Sequence, residues 1–476
     1  MDESEGKRCS CHTPCVRAYS PDAHRLETRM GTWFLWLPWG HGPGPLREIL
    51  EGTPGADRVS RKLCAALPEV TGVFIPKAPQ GHPLAFRSLS SGFELFCLRT
   101  SEGSFILTDF FRDALACLPP GEKRLDLAGI ADYLLAQCPL DERTLVPGIT
   151  RLPSGTCWEW AKPGLPPRQS VIESLGDLLG EGPPPSVEEA LSSVLEPLRD
   201  KPGLALLFSG GIDSALLASY LGNRTEALTA LAAPAELAFE HGIAREGARC
   251  LGLRNCREIA FREESFLGDL ASAVERAALP VPCPNFQALF NESFFCSSHA
   301  AYCSGDMADS LFGYRHVELG QAEESEWDGI LGELFPEGGL LRELGTKGLF
   351  SGARAAVEFL GPDVVSERLR SRHRLMAEQV GDLSGFPGHF DVEREWGHLA
   401  WVLCSPYWRH YFRQQATSFG KSLACPFAQR DVMKAALALP LEARSPKGKP
   451  LKSLLREILD RKSTLLNSSH EWISRM

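Results

Sequence analysis

The chain has no apolar run approaching the roughly 18 residues that would cross a bilayer, and its first thirty residues are polar and charged, without a signal-peptide core. No membrane partner is expected, and the reading places the chain in the cytoplasm. It lacks an excess of positive charge. The 50 Lys and Arg stand against 60 Asp and Glu, a net charge of -10, the wrong sign for a protein whose main task is gripping nucleic acid. It also lacks any C-x-x-C pair, although it holds 15 cysteines. That count is odd, and Cys64, Cys97, Cys117, Cys250 and Cys303 are scattered singly through apolar segments, as expected of reduced, mostly buried thiols. Cys9, Cys11, His12 and Cys15 suggest half a zinc site, but no second ligand pair follows at a usual spacing, so no zinc is expected. At 476 residues the chain is long enough for two cores.

The stretch around which the rest is organised begins at Leu204. Five apolar residues, Leu204 to Phe208, read as a buried parallel strand; the turn Ser209-Gly210-Gly211-Ile212-Asp213-Ser214 follows, and then the apolar run Ala215 to Leu221, which has helical length. The adjacent glycines let backbone pass close to a ligand, while Ser209, Ser214 and the N–H groups opening the helix suit phosphate oxygens. Asp213 is the odd member. A carboxylate beside phosphates repels them unless a divalent cation lies between, which argues for Mg²⁺ bridging Asp213 to a di- or triphosphate. A Gly-Gly turn with Asp and Ser capping a helix is the plain structural alternative. The complete string after a hydrophobic strand is more specific, and it resembles the pyrophosphate-binding loop of the ATP pyrophosphatase superfamily. That resemblance implies that the loop holds the β,γ-pyrophosphate of ATP while a substrate oxygen attacks the α-phosphate.

Before this stretch, residues 1–30 read as a disordered leader. From Gly31 to Trp160, short apolar runs are separated by turn residues. Trp33 to Trp39 is a strand candidate, Phe93 to Leu98 and Ser104 to Phe110 form a hairpin, and Leu127 to Gln137 form a helix. The string Thr144-Leu-Val-Pro-Gly-Ile-Thr-Arg-Leu-Pro-Ser-Gly-Thr156 looks like the closing segment of the N-terminal glutaminase-like domain of asparagine synthetases, which implies a mainly antiparallel, Ntn-like α+β domain over 31–160. In that family a cysteine exposed by removal of the initiator Met attacks the glutamine amide. Here Asp2 follows Met1 and Gly31 follows Met30, and the family's Asn-Gly-Glu string is missing. The expectation is a degenerate domain without glutaminase chemistry. Residues 161–185, rich in Pro and Gly, read as a linker. Ser186-Val-Glu-Glu189 reads as a capping box opening a helix to about Leu198.

Beyond the loop, Ala227 to Ala232 and Arg257 to Phe261 read as strands separated by a helix over Glu240 to Leu251. This alternation predicts a doubly wound parallel sheet with ligands at the carboxyl ends of its strands. Pro282-Cys-Pro-Asn-Phe286 reads as a loop at that edge. In Ala300-Ala-Tyr-Cys-Ser-Gly-Asp-Met-Ala-Asp-Ser-Leu-Phe-Gly-Tyr314 a strand again runs into Ser-Gly, and Asp306 and Asp309 fall on neighbouring positions of a first helical turn. The string resembles the second signature of the asparagine synthetase C-terminal domain. On that match Asp309 pairs with Asp213 on Mg²⁺, Gly305 joins the nucleotide site, and Asp306 stands near the acyl group. Asp306 is one methylene shorter than the family's acid, and Ser310 replaces its glutamate. Amphipathic helices are expected over 315–400, for instance Val364 to Gln379, and the aromatic stretch Trp401 to Phe412 reads as packed helix. Pro426-Phe427 and Arg430-Asp431 match a third string, with Gln429 in place of its aspartate. In Lys449-Pro-Leu-Lys-Ser-Leu-Leu-Arg456 the resemblance makes Lys452, with Lys449 as runner-up, the lysine that neutralises charge as pyrophosphate leaves. Ser463 to Met476 resembles peptide read from sequencing-adaptor DNA and is expected to be non-native.

The chain is thus identified as a member of the asparagine synthetase family, with a catalytic domain over 186–462. The resemblance implies an AMP- and pyrophosphate-forming amide ligase that uses ATP and Mg²⁺ to adenylate aspartate or a related acid, with asparagine biosynthesis as the associated role. Ammonia or an amine then displaces AMP. Without a glutaminase the nitrogen comes from free ammonia, a separate amidotransferase, or the substrate's own amine, as in relatives that close β-lactam rings or cyclise peptides. Rival readings are a tRNA-thiolating enzyme, which the acidic pI and unpaired cysteines oppose, and a non-catalytic scaffold. A homodimer is left open.

Overall fold

The computed structural model describes residues 14–39, 41–42, 46–53, 55–136, 142–162, 164–180, 182–199, 201–222, 225–231, 238–253, 255–260, 266–279, 293–312, 353–381, 406–444, 446 and 449–465. Cys9, Cys11 and His12, the loop at 282–286, the stretches 313–352 and 382–405 and the tail from 466 lie outside the described residues.

Strict alternation builds the first half. In β3 (Gly31–Trp36), which follows β1 (Cys15–Arg17) and β2 (Ala23–Glu27), Trp33 and Leu35 enter one hydrophobic cluster while Phe34 and Trp36 enter another. Successive side chains of a strand point to opposite faces, so this strand is buried on both. The pattern repeats beyond α1 (Ala56–Ala66). Phe74 and Val73 of β4 (Thr71–Pro76) divide between the two clusters, as do Phe86 and Ala85 of β5 (Leu84–Arg87). β6 (Phe96–Arg99) and β7 (Phe105–Thr108) pair antiparallel as the expected hairpin. After α2 (Leu127–Ala136) come β8 (Ile149–Arg151), β9 (Thr156–Glu159) and β10 (Arg168–Val171). The strands form a six-stranded sheet in the order β10-β9-β5-β4-β3-β2 and a four-stranded sheet in the order β1-β7-β6-β8. Leu95, Cys97, Phe105 and Leu107 face Trp36, Val73 and Trp158 across the gap between them. Val59 and Leu63 of α1 cover the outer face of the larger sheet.

Two expectations change here. Residues 15–27 are not free leader: β1 pairs parallel with β7, and β2 antiparallel with β3. Their polar composition hides a half-exposed strand. Nor is 161–185 a bare tether, because β10 is an exposed polar edge on β9 and the helix Leu175–Gly180 buries Leu175, Leu178 and Leu179. Pro and Gly around them dominate the composition, whereas leucines spaced i, i+3, i+4 decide the packing.

The second half opens with α3 (Val187–Leu195), where the Ser186 hydroxyl caps Glu189 N–H and the Glu189 carboxylate accepts from Ser186 N–H at 2.9 Å. Then follow β11 (Leu204–Leu207), α4 (Ile212–Leu221), β12 (Glu226–Leu231), α5 (Ala238–Cys250), β13 (Cys256–Ala260), α6 (Phe266–Ala277), β14 (Ala301–Cys303), α7 (Ala308–Phe312), α8 (Pro362–Val380), α9 (Pro406–Ser418), β15 (Ser422–Ala424), α10 (Arg430–Leu437) and α11 (Ser453–Leu465). All five strands are parallel, in the order β13-β12-β11-β14-β15. The chain builds outward from β11 in one direction and then returns to its other side with β14. Such a reversal opens a crevice at the carboxyl ends of β11 and β14. α4 is apolar nearly all round and buried accordingly. Among the described residues no helix is long and apolar enough to cross a membrane.

The seam between the halves is both apolar and ionic: Leu89, Phe96, Phe111 and Ile149 of the first half belong to the same buried cluster as the core of the second, and buried charges pair across it. Glu69 accepts from Arg413 Nη2 at 2.7 Å and from Gly92 N–H at 3.0 Å. Glu173 accepts from Leu89 N–H at 2.7 Å and from Arg430 Nε at 3.1 Å. Asp132 of α2 takes two hydrogen bonds, each 2.6 Å, from Arg368 of α8. Gln414 donates to Asp109 O and accepts from Phe111 N–H. All of these acids and arginines are buried, so each charge depends on its partner.

Candidate functional site

The loop after β11 is shaped by its neighbours. Gly210 has φ +77, and a Cβ there would lie 2.5 Å from Ala244 Cα of α5. Only glycine satisfies both the left-handed backbone and that close approach. Gly211 caps α4 with ordinary extended backbone and no side-chain bond of its own. The serines stand in: Ser214 Oγ donates to Gly211 O at 3.1 Å, and Ser209 Oγ accepts from Gly211 N–H at 3.2 Å and lies 3.2 Å from Ser214 Oγ. The two hydroxyls thus brace the turn from inside. Asp213 falls in the first turn of α4, where the helix dipole favours a carboxylate.

The loop after β14 meets this one. A Cβ on Gly305 would lie 3.0 Å from Asp213 Cβ, so its absence lets the two loops touch. Met307 then takes φ +80, a left-handed value rare for a side-chain-bearing residue. α7 starts only at Ala308, which corrects the expectation that Asp306 and Asp309 share a helical turn. The reversal at Met307 turns them toward different surroundings. Asp306 faces the buried thiols of Cys303 and Cys425 and the Arg409 guanidinium, whereas the Asp309 side chain is 76% exposed at the mouth of the crevice.

Lys452 joins the loops. Its Nζ lies 2.5 Å from Asp213 Oδ2 and 2.6 Å from Asp309 Oδ1. The three residues, spread over almost the whole second half, converge on a single point of positive charge. Burial pushes the Asp213 carboxyl up to about 6 against the pull of the Lys452 ammonium, with Asp309 adding to the rise. Burial alone would lower Lys452, but the two carboxylates outweigh it and its pKa is raised. Asp213 Oδ1 is buried and, among the described residues, has no hydrogen-bond partner. Lys449, the runner-up, sits instead in an exposed ion pair with Glu457 at 3.5 Å. The structure therefore brings Ser209, Gly210, Gly211, Asp213, Ser214, Gly305, Asp309 and Lys452 to one crevice, with Asp306 behind it.

Sequence reasoning gave no role to three arginines. Arg456, one turn beyond Lys452, acts electrostatically on Asp213 and donates from Nε to Leu451 O at 3.0 Å. Arg409 and Arg413 lie buried on α9 next to Asp306 and Glu69. Two arginines spaced i, i+4 in an otherwise aromatic segment were the available signal of a buried ionic face. A family model for asparagine synthase matches residues 187–465. No curated protein matches the chain.

Proposed function

The chain belongs to the asparagine synthase family, and on that premise we propose that it is an ATP-dependent ligase that joins a carboxylate to ammonia or an amine, releasing AMP and pyrophosphate. The observation that carries this reading is the meeting of Asp213 and Asp309 on one cationic position at the carboxyl ends of β11 and β14. Two hard carboxylates, one with a buried oxygen that lacks a hydrogen bond among the described residues, fit Mg²⁺. The ion would neutralise phosphate charge when bound. Ser209, Gly210, Gly211, Ser214 and Gly305 would border the triphosphate, with the opening of α4 presented to its charge. The acid's carboxylate oxygen attacks the α-phosphorus, the bond to the bridging oxygen breaks, and pyrophosphate leaves. The Lys452 ammonium offsets the charge gathering on the phosphoryl oxygens and leaving group. The amine then attacks the acyl carbon, AMP departs, and the surplus proton passes to a base, for which Asp306 is the nearby carboxylate. Holding carboxylate and phosphate in line supplies much of the rate.

The first half is proposed to keep a glutaminase-like fold without amide-cleaving chemistry. Its two stacked, largely antiparallel sheets and its Thr144 to Thr156 string support the fold, and the missing Asn-Gly-Glu string supports the loss. Nitrogen then arrives as ammonia, from a separate amidotransferase, or as an amine of the substrate itself, the option that would make the product a ring.

Carboxylic-acid-dependent exchange of labelled pyrophosphate into ATP tests the adenylation. We expect exchange with the correct acid and a loss of about 10²–10³-fold in D213N, the size associated with removing one charge-stabilising group. Exchange at the same rate in D213N would refute the assignment. Incubation with glutamine should release no glutamate.

A further inference from the structure

We propose that Lys452 is a resident counter-ion: in the nucleotide-free protein its ammonium occupies the cation position between Asp213 and Asp309, and it must be displaced before a divalent metal can enter. The inference rests on the reading of those two aspartates as metal ligands.

The ammonium nitrogen is 2.5 and 2.6 Å from one oxygen of each carboxylate. A magnesium ion bound to the same oxygens would sit about 2.1 Å from them. The two cations cannot share that space. The lysine is built into this position, since its backbone has φ +56, a left-handed conformation that side-chain-bearing residues rarely adopt. Arg456 fastens the strained residue, with its N–H on Lys452 O at 3.0 Å and its Nε on Leu451 O at 3.0 Å. That clamp aims the side chain into the crevice.

The arrangement also allows exit. Leu451 is 42% exposed and Lys449 lies in an exposed pair, so the residues ahead of Lys452 are lightly packed. A four-carbon stem lets the ammonium move without the main chain. Its hold is incomplete, because Asp213 Oδ1 gains nothing from it. With no nucleotide the expelled ammonium would give up two carboxylates, which opposes metal entry. A triphosphate supplies new negative charge, so metal can take the carboxylates while the lysine moves to phosphate. Metal and nucleotide would therefore bind with positive coupling, and the residue that assists the chemistry would also suppress empty metal loading.

The test is Mn²⁺ binding to the full-length protein without nucleotide, followed by the electron-spin signal of the free ion. We expect weak binding by the wild type and, in K452M, affinity tighter on the order of 10- to 100-fold, the range of ordinary coupling between sites. The gain should vanish in K452M/D309N. Equal Mn²⁺ affinity in wild type and K452M, with exchange activity intact in the wild type, would overturn the gate and leave the ligase reading standing. Absence of Mn²⁺ binding in both proteins, together with no exchange, would overturn both. Should K452M fail to fold, acylation of the Lys452 amine in the wild type, read by peptide mass spectrometry, replaces it. Labelling should rise as millimolar Mn²⁺ expels the amine, and a rate independent of Mn²⁺ would refute the proposal.

Discussion

Alanine at position 210 and, separately, alanine at 211 divide two glycines that are equivalent by composition. At 210 the new Cβ would stand 2.5 Å from Ala244 Cα, 2.7 Å from Ala244 N and 2.9 Å from Ile243 C, all main-chain atoms of α5 that cannot rotate aside. The residue would also have to hold φ +77. The left-handed backbone costs about 1–2 kcal/mol, and forcing α5 away adds roughly 1–3 kcal/mol, as overpacking does elsewhere. G210A should therefore lose about 2–5 kcal/mol. At 211 φ is -67, and the nearest atom to the added Cβ is the Ser209 hydroxyl at 3.2 Å, which can turn. The remaining cost is exchange of glycine for alanine at a helix cap, about 1 kcal/mol or less. Urea denaturation of the two variants, followed by far-ultraviolet circular dichroism, measures the difference. A midpoint for G211A as low as that of G210A would show that contact with α5 does not shape the loop.

Two further outcomes follow from buried charge. R368M alone should destabilise the protein by about 3–5 kcal/mol because Asp132 is left charged and buried, whereas D132L/R368M should recover most of the loss; thermal melting decides, and a double variant as unstable as the single one would contradict it. Burial lowers the His410 pKa from 6.5 to about 4, despite the Glu94 carboxylate 3.4 Å away. The unfolded chain then takes up the proton first, so this contribution to stability is complete above pH 6.5 and is lost as pH falls toward 4. The shift sets an upper bound of roughly 3 kcal/mol on the loss. H410Q should flatten the decline of the urea midpoint across that interval, and an unchanged slope would count against a neutral buried imidazole.

Features encoded by neighbouring residues were the readable ones. The strand from Leu204, the serine-glycine turn after it, the capping box at Ser186 and the hairpin across 93–110 each carry their signal within one short continuous stretch of chain. Strand β2 escaped because its residues are half-exposed and mostly polar, and β10 because none of its residues is buried at all. At the site, local spacing suggested that Asp306 and Asp309 act together, but the positive φ of Met307 separates them, and nothing about a methionine announces that. The nearness of Lys452 to Asp213 spans 239 positions, so spacing could not supply it and only the motif frame singled the lysine out. The arginines of α9 were obscured by their aromatic neighbours.

The ionic character of the joint between the halves limits how the protein can be cut. Expressed from about residue 187 onward, the second half would keep Arg368, Arg413 and Arg430 while losing Asp132, Glu69 and Glu173, the acids that neutralise them. The severed face would combine stranded guanidinium groups with the apolar surface that Leu89, Phe96 and Phe111 had covered, and would be prone to aggregate. Even with no chemistry of its own, the first half would be retained as an anionic chaperone in cis, and adding it back as a separate polypeptide should rescue the fragment's solubility.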